Sequence, residues 1–189
     1  MIEKIGSFTV SSNKLVISDP CYPLDIWCQG ILNNVKNGKW EGYVEYQDNG
    51  KMCKSVIACH SDNKINKWAR KHFSVCDFTV AVDSGQAGIF DFDSYKNDSV
   101  ATNPLPTSIC TEEKWYSNCC DATLSQERAG IVREGVVASS GYGDGSYLAY
   151  IDQAEDGKIV AVEIAFIGKR NCFDDDYLND YLVNDDDDD

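Results

Sequence analysis

Apolar runs of strand length, each closed by Asn, Asp, Gly or Pro, recur along this chain and restrict it to a fold built mostly of short antiparallel strands. IGSFTV (5–10) and KLVISD (14–19), joined by SSN, read as a half-buried hairpin pair. ILNNV (31–35) and KWEGYVEYQ (39–47) flank Lys36-Asn37-Gly38, and Asp48-Asn49-Gly50 precedes the apolar part of KMCKSVIACH (51–60). Asn-Gly is a strong hairpin signal because both residues accept positive φ, so residues 31–60 are expected as a three-stranded meander. CDFTVAV (76–82) is a further strand. A second meander is expected from GIVREGVVASS (130–140), SYLAYIDQ (146–153) and KIVAVEIAFI (158–167), with Asp156-Gly157 as its last turn. In the last strand Val160, Val162, Ile164 and Phe166 fall on one face. No internal repeat stands out.

Helix signals are fewer. In TEEKWYSNCCDATL (111–124), Thr111 is placed to cap a helix, and Glu112 and Glu113 fall in its first turn, where the helix dipole favours acids. Pro20 and Pro23 in DPCYP each remove a backbone donor and force an extended turn. Residues 61–72 read as a short surface helix or a loop, and residues 93–107 as a loop. Tyr177, Leu178, Tyr181 and Leu182 have the spacing of a short amphipathic helix, whereas the five terminal aspartates repel one another and are expected to be disordered. The fold class is therefore α+β, mainly antiparallel sheet in two meanders with one or two short helices. Residues 1–170 form a single β-rich domain in this reading and residues 171–189 an acidic tail.

The 189 residues, 43% of them hydrophobic, suit one core that buries roughly 70% of the unfolded chain's surface. The nine aspartates of residues 171–189, where no Lys or Arg occurs, leave only −5 of the net charge of −14 to the rest. No basic patch offers itself to phosphates, so nucleic acid is not an expected partner. Nine cysteines with no secretory signal in MIEKIGSFTV read as packed thiols of a reducing cytoplasm. No apolar stretch reaches the roughly 20 residues that a membrane span requires.

Three blocks share the mixture of acids and small residues that can line a polar site: ISDPCY (17–22), VDSGQAGIFD (82–91) and SSGYGDGSY (139–147). Together they resemble a bacterial and phage family of unknown function marked by VD(S/A)G…G…D and SG(Y/W)GDG.Y blocks. The resemblance spans residues 8–168; it implies a β-rich single domain of bacterial or phage origin and brings no activity with it. Read as chemistry, Gly141, Gly143 and Gly145 permit the turn of an anion-binding nest, although Asp144 opposes a bare phosphate there. Each block also reads as a turn whose aspartate caps its own backbone.

The candidate ligand-binding residues are Asp19, Asp83, Ser84, Gln86, Gly141, Tyr142, Asp144, Ser146 and Tyr147, with Tyr142 and Tyr147 able to stack on a planar ligand. Catalytic alternatives are an acid and base chosen from Asp19, Asp83, Asp91 and Asp144, a serine at 84 or 140 served by His60 or His72, or Cys21 served by His60. No GxSxG elbow is present. Cys53, Cys59 and His60 lie close in sequence and Cys119 and Cys120 are adjacent, but without a CxxC pair no metal is expected, and no cofactor either. The chain thus reads as a cytoplasmic binding protein whose two Gly/Asp loops form a polar pocket for a small molecule or peptide. The alternative is an acidic inhibitor of immunity or anti-defence type that occupies a basic site on a protein partner, with a hydrolase as the third.

Overall fold

The computed structural model describes residues 1–47, 50, 52–63, 72–100 and 113–168. Among them the apolar runs become β1 (Ile2–Val10), β2 (Lys14–Ser18), β3 (Gly30–Asn33), β4 (Gly38–Tyr46), β5 (Cys53–His60), β6 (Ser74–Val82), β7 (Gln86–Asp91), β8 (Ala129–Ile131), β9 (Gly135–Ser139), β10 (Gly145–Gln153) and β11 (Ile159–Ala165). A helix, α1 (Lys114–Leu124), lies between β7 and β8, after two short 3-10 turns at Phe92–Ser94 and Asp98–Val100. The strands pair antiparallel in two sheets, ordered β1-β4-β5-β11-β10-β6 and β3-β2-β7-β9-β8, so the α+β class is as expected.

The inner faces of the two sheets make the main core. Phe8, Trp40, Val56, Val80 and Ile164 of the six-stranded sheet meet Leu15, Ile17, Ile89 and Val136 of the five-stranded one. The other face of the five-stranded sheet is covered by α1, where Trp115 and Cys119 join Val16, Phe90, Tyr95 and Val137. Buried on both faces, β7 has no exposed alternate, which is why QAGIFD lacks the polar alternation of an outer strand. The Phe90, Tyr95 and Trp115 rings meet at centroid separations of 5.0 to 5.6 Å, tilted or edge-on. Each such contact adds about 0.5–1.5 kcal/mol beyond burial.

Several turns expected to close hairpins instead carry the chain from one sheet to the other. β1 pairs with β4 and β2 with β3 and β7, so SSN is a corner and not a hairpin turn. β3 and β4 are likewise in different sheets, and the meander expected over 31–60 keeps only its β4–β5 hairpin. Asn37 ties two corners together: its Oδ1 accepts from the Asn13 N–H (2.8 Å) and its Nδ2 donates to Ser11 O (3.1 Å). At the far end of the chain β8 and β9 form one hairpin and β10 and β11 another, but β9 and β10 lie in different sheets, so SSGYGDG is also a corner. Gly157, at φ 78, closes the β10–β11 turn as expected.

The helix is expected from 111; α1 begins at Lys114, and Thr111 and Glu112 lie outside the described residues. Glu113 occupies the N-cap position without a side-chain cap bond, and the Trp115 N–H donates instead to Asp98 Oδ1 (2.8 Å). Asp48, Asn49, most of residues 61–72 and the whole tail, with its expected helix through Tyr177, Leu178, Tyr181 and Leu182, also lie outside the described residues.

Contrary to expectation, the chain contains an internal repeat. β1 to β5 and the series β6, β7, β9, β10, β11 follow the same path, from an edge of the six-stranded sheet, through two strands of the other, and back for two more. Registers agree across the halves. Val10 faces Gly38 as Val82 faces Gly145, Lys14 faces Asn33 as Gln86 faces Ser139, and the bulge at Glu45/Tyr46 recurs at Asp152/Gln153. Ile17 pairs with Ile89 and Ile57 with Glu163, so in both sheets a residue faces its own counterpart, as a two-fold relation between the halves demands. Even the aromatic pairs recur. Trp40 donates to Lys36 O (2.8 Å) and lies edge-on to His60, while Tyr147 donates to Gly143 O (2.7 Å) and lies edge-on to Phe166. The second half differs by the insertion of the 3-10 turns, α1 and β8 between β7 and β9.

Candidate binding surface at the sheet crossings

The repeat explains the acids of the first two blocks. TVSSNKLVISD (9–19) and AVDSGQAGIFD (81–91) are equivalent, and each ends in a fully buried aspartate that grips the corner of the other. Asp91 Oδ1 accepts from the Ser11 and Ser12 N–H groups (2.9 and 3.0 Å) and from the Ser12 hydroxyl (2.8 Å). Asp19 Oδ2 accepts from the Asp83 and Ser84 N–H groups (2.9 and 2.7 Å), and its Oδ1 from the Ser84 hydroxyl (2.5 Å) and the Cys21 N–H (2.8 Å). A corner leaves the ladder, so its N–H groups need other acceptors, and a buried carboxylate supplies them. Asn13 and Gly85, at φ 58 and 68, make the same left-handed turn in the two corners. The Oδ2 of Asp91 has no hydrogen-bond partner, an asymmetry between otherwise matched clamps.

The third block lies beside the second. Gly145 pairs with Val82, Gln86 with Ser139, and the Ser140 N–H donates to Gly85 O (3.0 Å), so the corners at 83–85 and 140–144 run alongside one another. Inside the glycine corner, Gly143 O accepts from both the Ser140 and Tyr147 hydroxyls (2.7 Å each). No anion-binding nest is needed to account for Gly141 and Gly143: a Cβ on Gly141 would stand 2.7 Å from Cys53 O, and both residues have positive φ.

The nine sequence-selected residues therefore gather at one end of the sheets but divide into two groups. Asp19, Gln86 and Tyr147 are buried and face protein partners: Gln86 accepts from the Thr123 hydroxyl (3.1 Å) and donates to Cys120 Sγ (3.5 Å), which ties the corner to α1. Ser84 and Gly141 are half-buried, and the Ser84 hydroxyl serves Asp19. Asp83, Tyr142, Asp144 and Ser146 are exposed. Asp83 accepts a hydrogen bond from the Tyr22 hydroxyl, which raises the Tyr22 pKa.

Sequence reasoning missed Trp27 and Lys96. Trp27 is 88% exposed and lines a hollow of about 450 Å3 with Asp77, Thr79 and Leu148 on the outer face of β6 and β10. The Cys28 carbonyl, which accepts from the Ala81 N–H (3.0 Å), holds this segment beside β6. An isolated tryptophan in a Pro-rich loop was the available signal. Lys96 donates to Pro20 O (3.2 Å), Cys21 O (3.4 Å) and Glu113 Oε2 (2.8 Å), joining the DPCY loop to the start of α1; nothing in its local sequence marks it.

Among the described residues the histidine-served alternatives find no assembled partners. Burial, reinforced by the hydrogen bond to Asp19, pushes the Cys21 thiol up to about 12, the reverse of an activated nucleophile. His60 stands at the opposite corner, its Nε2 3.2 Å from Asn37 O and its Nδ1 accepting from the Asp62 N–H (3.2 Å). The Asp62 carboxylate also lies near this ring, its Oδ2 3.5 Å from Nδ1. Ser84 bonds Asp19 and Ser140 bonds Gly143 O, and neither meets a histidine. Among the described residues no three His, Cys, Asp or Glu side chains are grouped to hold a metal, and no helix is long and apolar enough to cross a membrane.

No curated protein and no solved structure matches this chain. A family model does, over residues 8–164, a span that contains both crossed corners and the glycine loop. The chain belongs to that family, described as a protein of unknown function, DUF4241.

Proposed function

We propose that this protein is a binding domain that takes a basic peptide, or the basic surface of a protein partner, on the end where the chain crosses between sheets. The observation that carries the reading is Tyr142, 71% exposed, among exposed Asp83 and Asp144 in the adjoining corners, with Trp27, 88% exposed, beside exposed Asp77 on the outer face of β6 and β10. Large exposed aromatics on a braced framework favour partner recognition, because they bury much area with little entropy to lose. Acids beside aromatic rings suit Lys and Arg side chains, which pair with the carboxylates and lie over the ring faces. The buried members of the set give the loops their rigidity: Asp19, Gln86 and Tyr147 have their polar groups engaged within the protein. The net charge of −14 would steer a basic partner from a distance and make association depend on salt.

A fluorescence titration with Lys- and Arg-containing peptides, with Glu-containing peptides as controls, tests the reading. Tyr142→Ala and Trp27→Ala are each expected to weaken binding of the basic peptides roughly tenfold or more, as a lost aromatic anchor does. Both should leave unfolding within about 0.5 kcal/mol of wild type, since the side chains are exposed. Binding that persists in both variants, or that ignores peptide charge, overturns the proposal. A small molecule that competes at Tyr142 and Asp144 would favour the enclosed-pocket reading.

A further inference from the structure

The two edges of the six-stranded sheet, β1 and β6, are equivalent strands of the two halves, and they are finished differently. An edge strand offers unpaired backbone groups to a further strand, and charged side chains commonly guard it. On β1, Glu3 and Lys4 are exposed, Lys4 pairs with Glu41, and the Thr9 N–H donates to Glu134 Oε2. β6 has no Lys or Arg between Ser74 and Val82, and its exposed positions include Val75, at 57%, and Asp77. Its Ala81 N–H, the counterpart of that of Thr9, donates to Cys28 O (3.0 Å), and among the described residues no strand of the sheet lies beyond β6 on that side.

The hollow of about 450 Å3 beside Trp27 opens on the outer face of β6 and β10 and follows this edge. Four consecutive residues of β6, Cys76 to Thr79, line it. Neighbouring side chains of a strand point to opposite faces, so a hollow that touches all four runs along the backbone and not over one face alone. Cys28, next to Trp27, already makes the first contact of an added strand at Ala81. The register is continuous from Ala81 to Thr79, and the alternation of an antiparallel ladder turns the Thr79 backbone the same way, outward from β10. β6 runs directly into the corner at 83–85, so a chain lying on its edge reaches the acids of the crossing end.

We propose that the edge of β6 takes an extended peptide rich in Lys or Arg as a further strand of the six-stranded sheet, its backbone paired with Thr79 and its basic side chains on Asp77 and the Trp27 ring. This mode rests on the basic-partner preference proposed for the same end of the molecule, and adds the conformation of the peptide and its place. Backbone pairing supplies affinity, while the exposed carboxylate and indole select cationic side chains. A second copy of this chain would bring a net charge of −14 and another Asp77 to the same edge, which disfavours pairing between copies.

The test uses the full chain and a capped peptide of about eight residues in which Lys alternates with Thr, a length typical of a strand. Two controls accompany it: a copy with Glu for Lys, and a copy N-methylated at every residue, which keeps the charges but cannot donate to a strand. The Lys peptide is expected to bind, its N-methylated copy to bind at least roughly tenfold more weakly, and the Thr79 amide to exchange its hydrogen at least roughly tenfold more slowly with the Lys peptide present. Thr79→Pro removes the outward donor and Asp77→Lys reverses the charge, and each should weaken binding roughly tenfold or more. Asp77→Lys, at an exposed position, should leave Tm unchanged. If the N-methylated copy binds as the Lys peptide does, or Thr79 exchanges as fast with the peptide as without it, the added strand is overturned while the basic-partner reading stands. If the Lys peptide binds no better than its Glu copy, both fall. A free chain that sediments as a dimer, broken by Thr79→Pro, would assign the edge to a second copy and overturn the proposal.

Discussion

The two halves of the chain, 2–60 and 74–165, lay down the same five strands by the same route, and the differences between them separate framework from function. What both halves share answers to folding: the crossed Ser–Asp corners, the Ile17–Ile89 pair and the buried aromatics Trp40 and Tyr147. What only one half has is free of that duty. Trp27 lies in the connection from β2 to β3, and Tyr142 in the glycine corner at 140–144, whose counterpart is the glycine-free 34–37.

The equivalence can be broken most severely at the residues that face their own counterparts. Ile17 and Ile89 are fully buried in one core and pair with each other. Ile17→Ala and Ile89→Ala should each cost about 2–5 kcal/mol in urea unfolding, with the two losses alike. A loss confined to one of them would show that the halves do not carry equal weight. Next come the corner hydroxyls. Ser12→Ala and Ser84→Ala each remove one hydrogen bond to a buried carboxylate and should cost about 1–2 kcal/mol. Similar losses support matched clamps, and a null effect at either corner would sharpen the comparison by showing which clamp does less.

The smallest expected effect depends on pH and on the one clamp that has a thiol beside it. The folded state holds the Cys21 proton to about 12, against 9.0 for an unperturbed thiol, so between these values the unfolded chain has lost a proton that the folded chain keeps. Its contribution to stability is therefore complete below pH 9 and is lost as pH rises toward 12. Cys21 should accordingly resist alkylation by iodoacetamide at pH 8 in the native protein. Because the Asp19 carboxylate is among the causes of the shift, Asp19→Asn should speed alkylation. Rapid alkylation of wild type at that pH would contradict the half-buried, acid-flanked setting.

Strand positions were largely legible in the sequence, whereas their partners were not. Asp156-Gly157 closes a hairpin as its residues suggest, but Ser11-Ser12-Asn13 and Asn37-Gly38 turn corners with the same chemistry, positive φ and a short polar side chain. A hairpin and a sheet crossing make identical local demands, and only the distant acceptor, Asp91 or Asp19, distinguishes them. The repeat was hidden for a related reason. Between 9–19 and 81–91 the identical residues are Val10 and Val82, Ser12 and Ser84, Ile17 and Ile89, and Asp19 and Asp91, which are those at the clamp and in the core. The remaining positions meet different neighbours and have diverged, as with Lys14 at the surface and Gln86 under α1. Of the site, the VDSG and GYGD blocks were legible as polar loops, but their adjacency was not, because it depends on the β6–β10 and β7–β9 pairings, and the place of Trp27 likewise depends on contacts between segments far apart in the chain.

That Asp19 and Asp91, the buried acids of the first two blocks, hold the fold and do not face a ligand is tested most directly by urea unfolding of Asp19→Ala beside Asp91→Ala. Asp19 uses both oxygens and accepts four hydrogen bonds, so its loss should cost about 3–5 kcal/mol. Asp91, whose Oδ2 is unpartnered, should cost less than Asp19 while remaining clearly destabilising. An Asp19→Ala protein that unfolds at or above the wild-type urea midpoint, as ligand-binding residues commonly allow, would contradict the clamp and return Asp19 to the binding site.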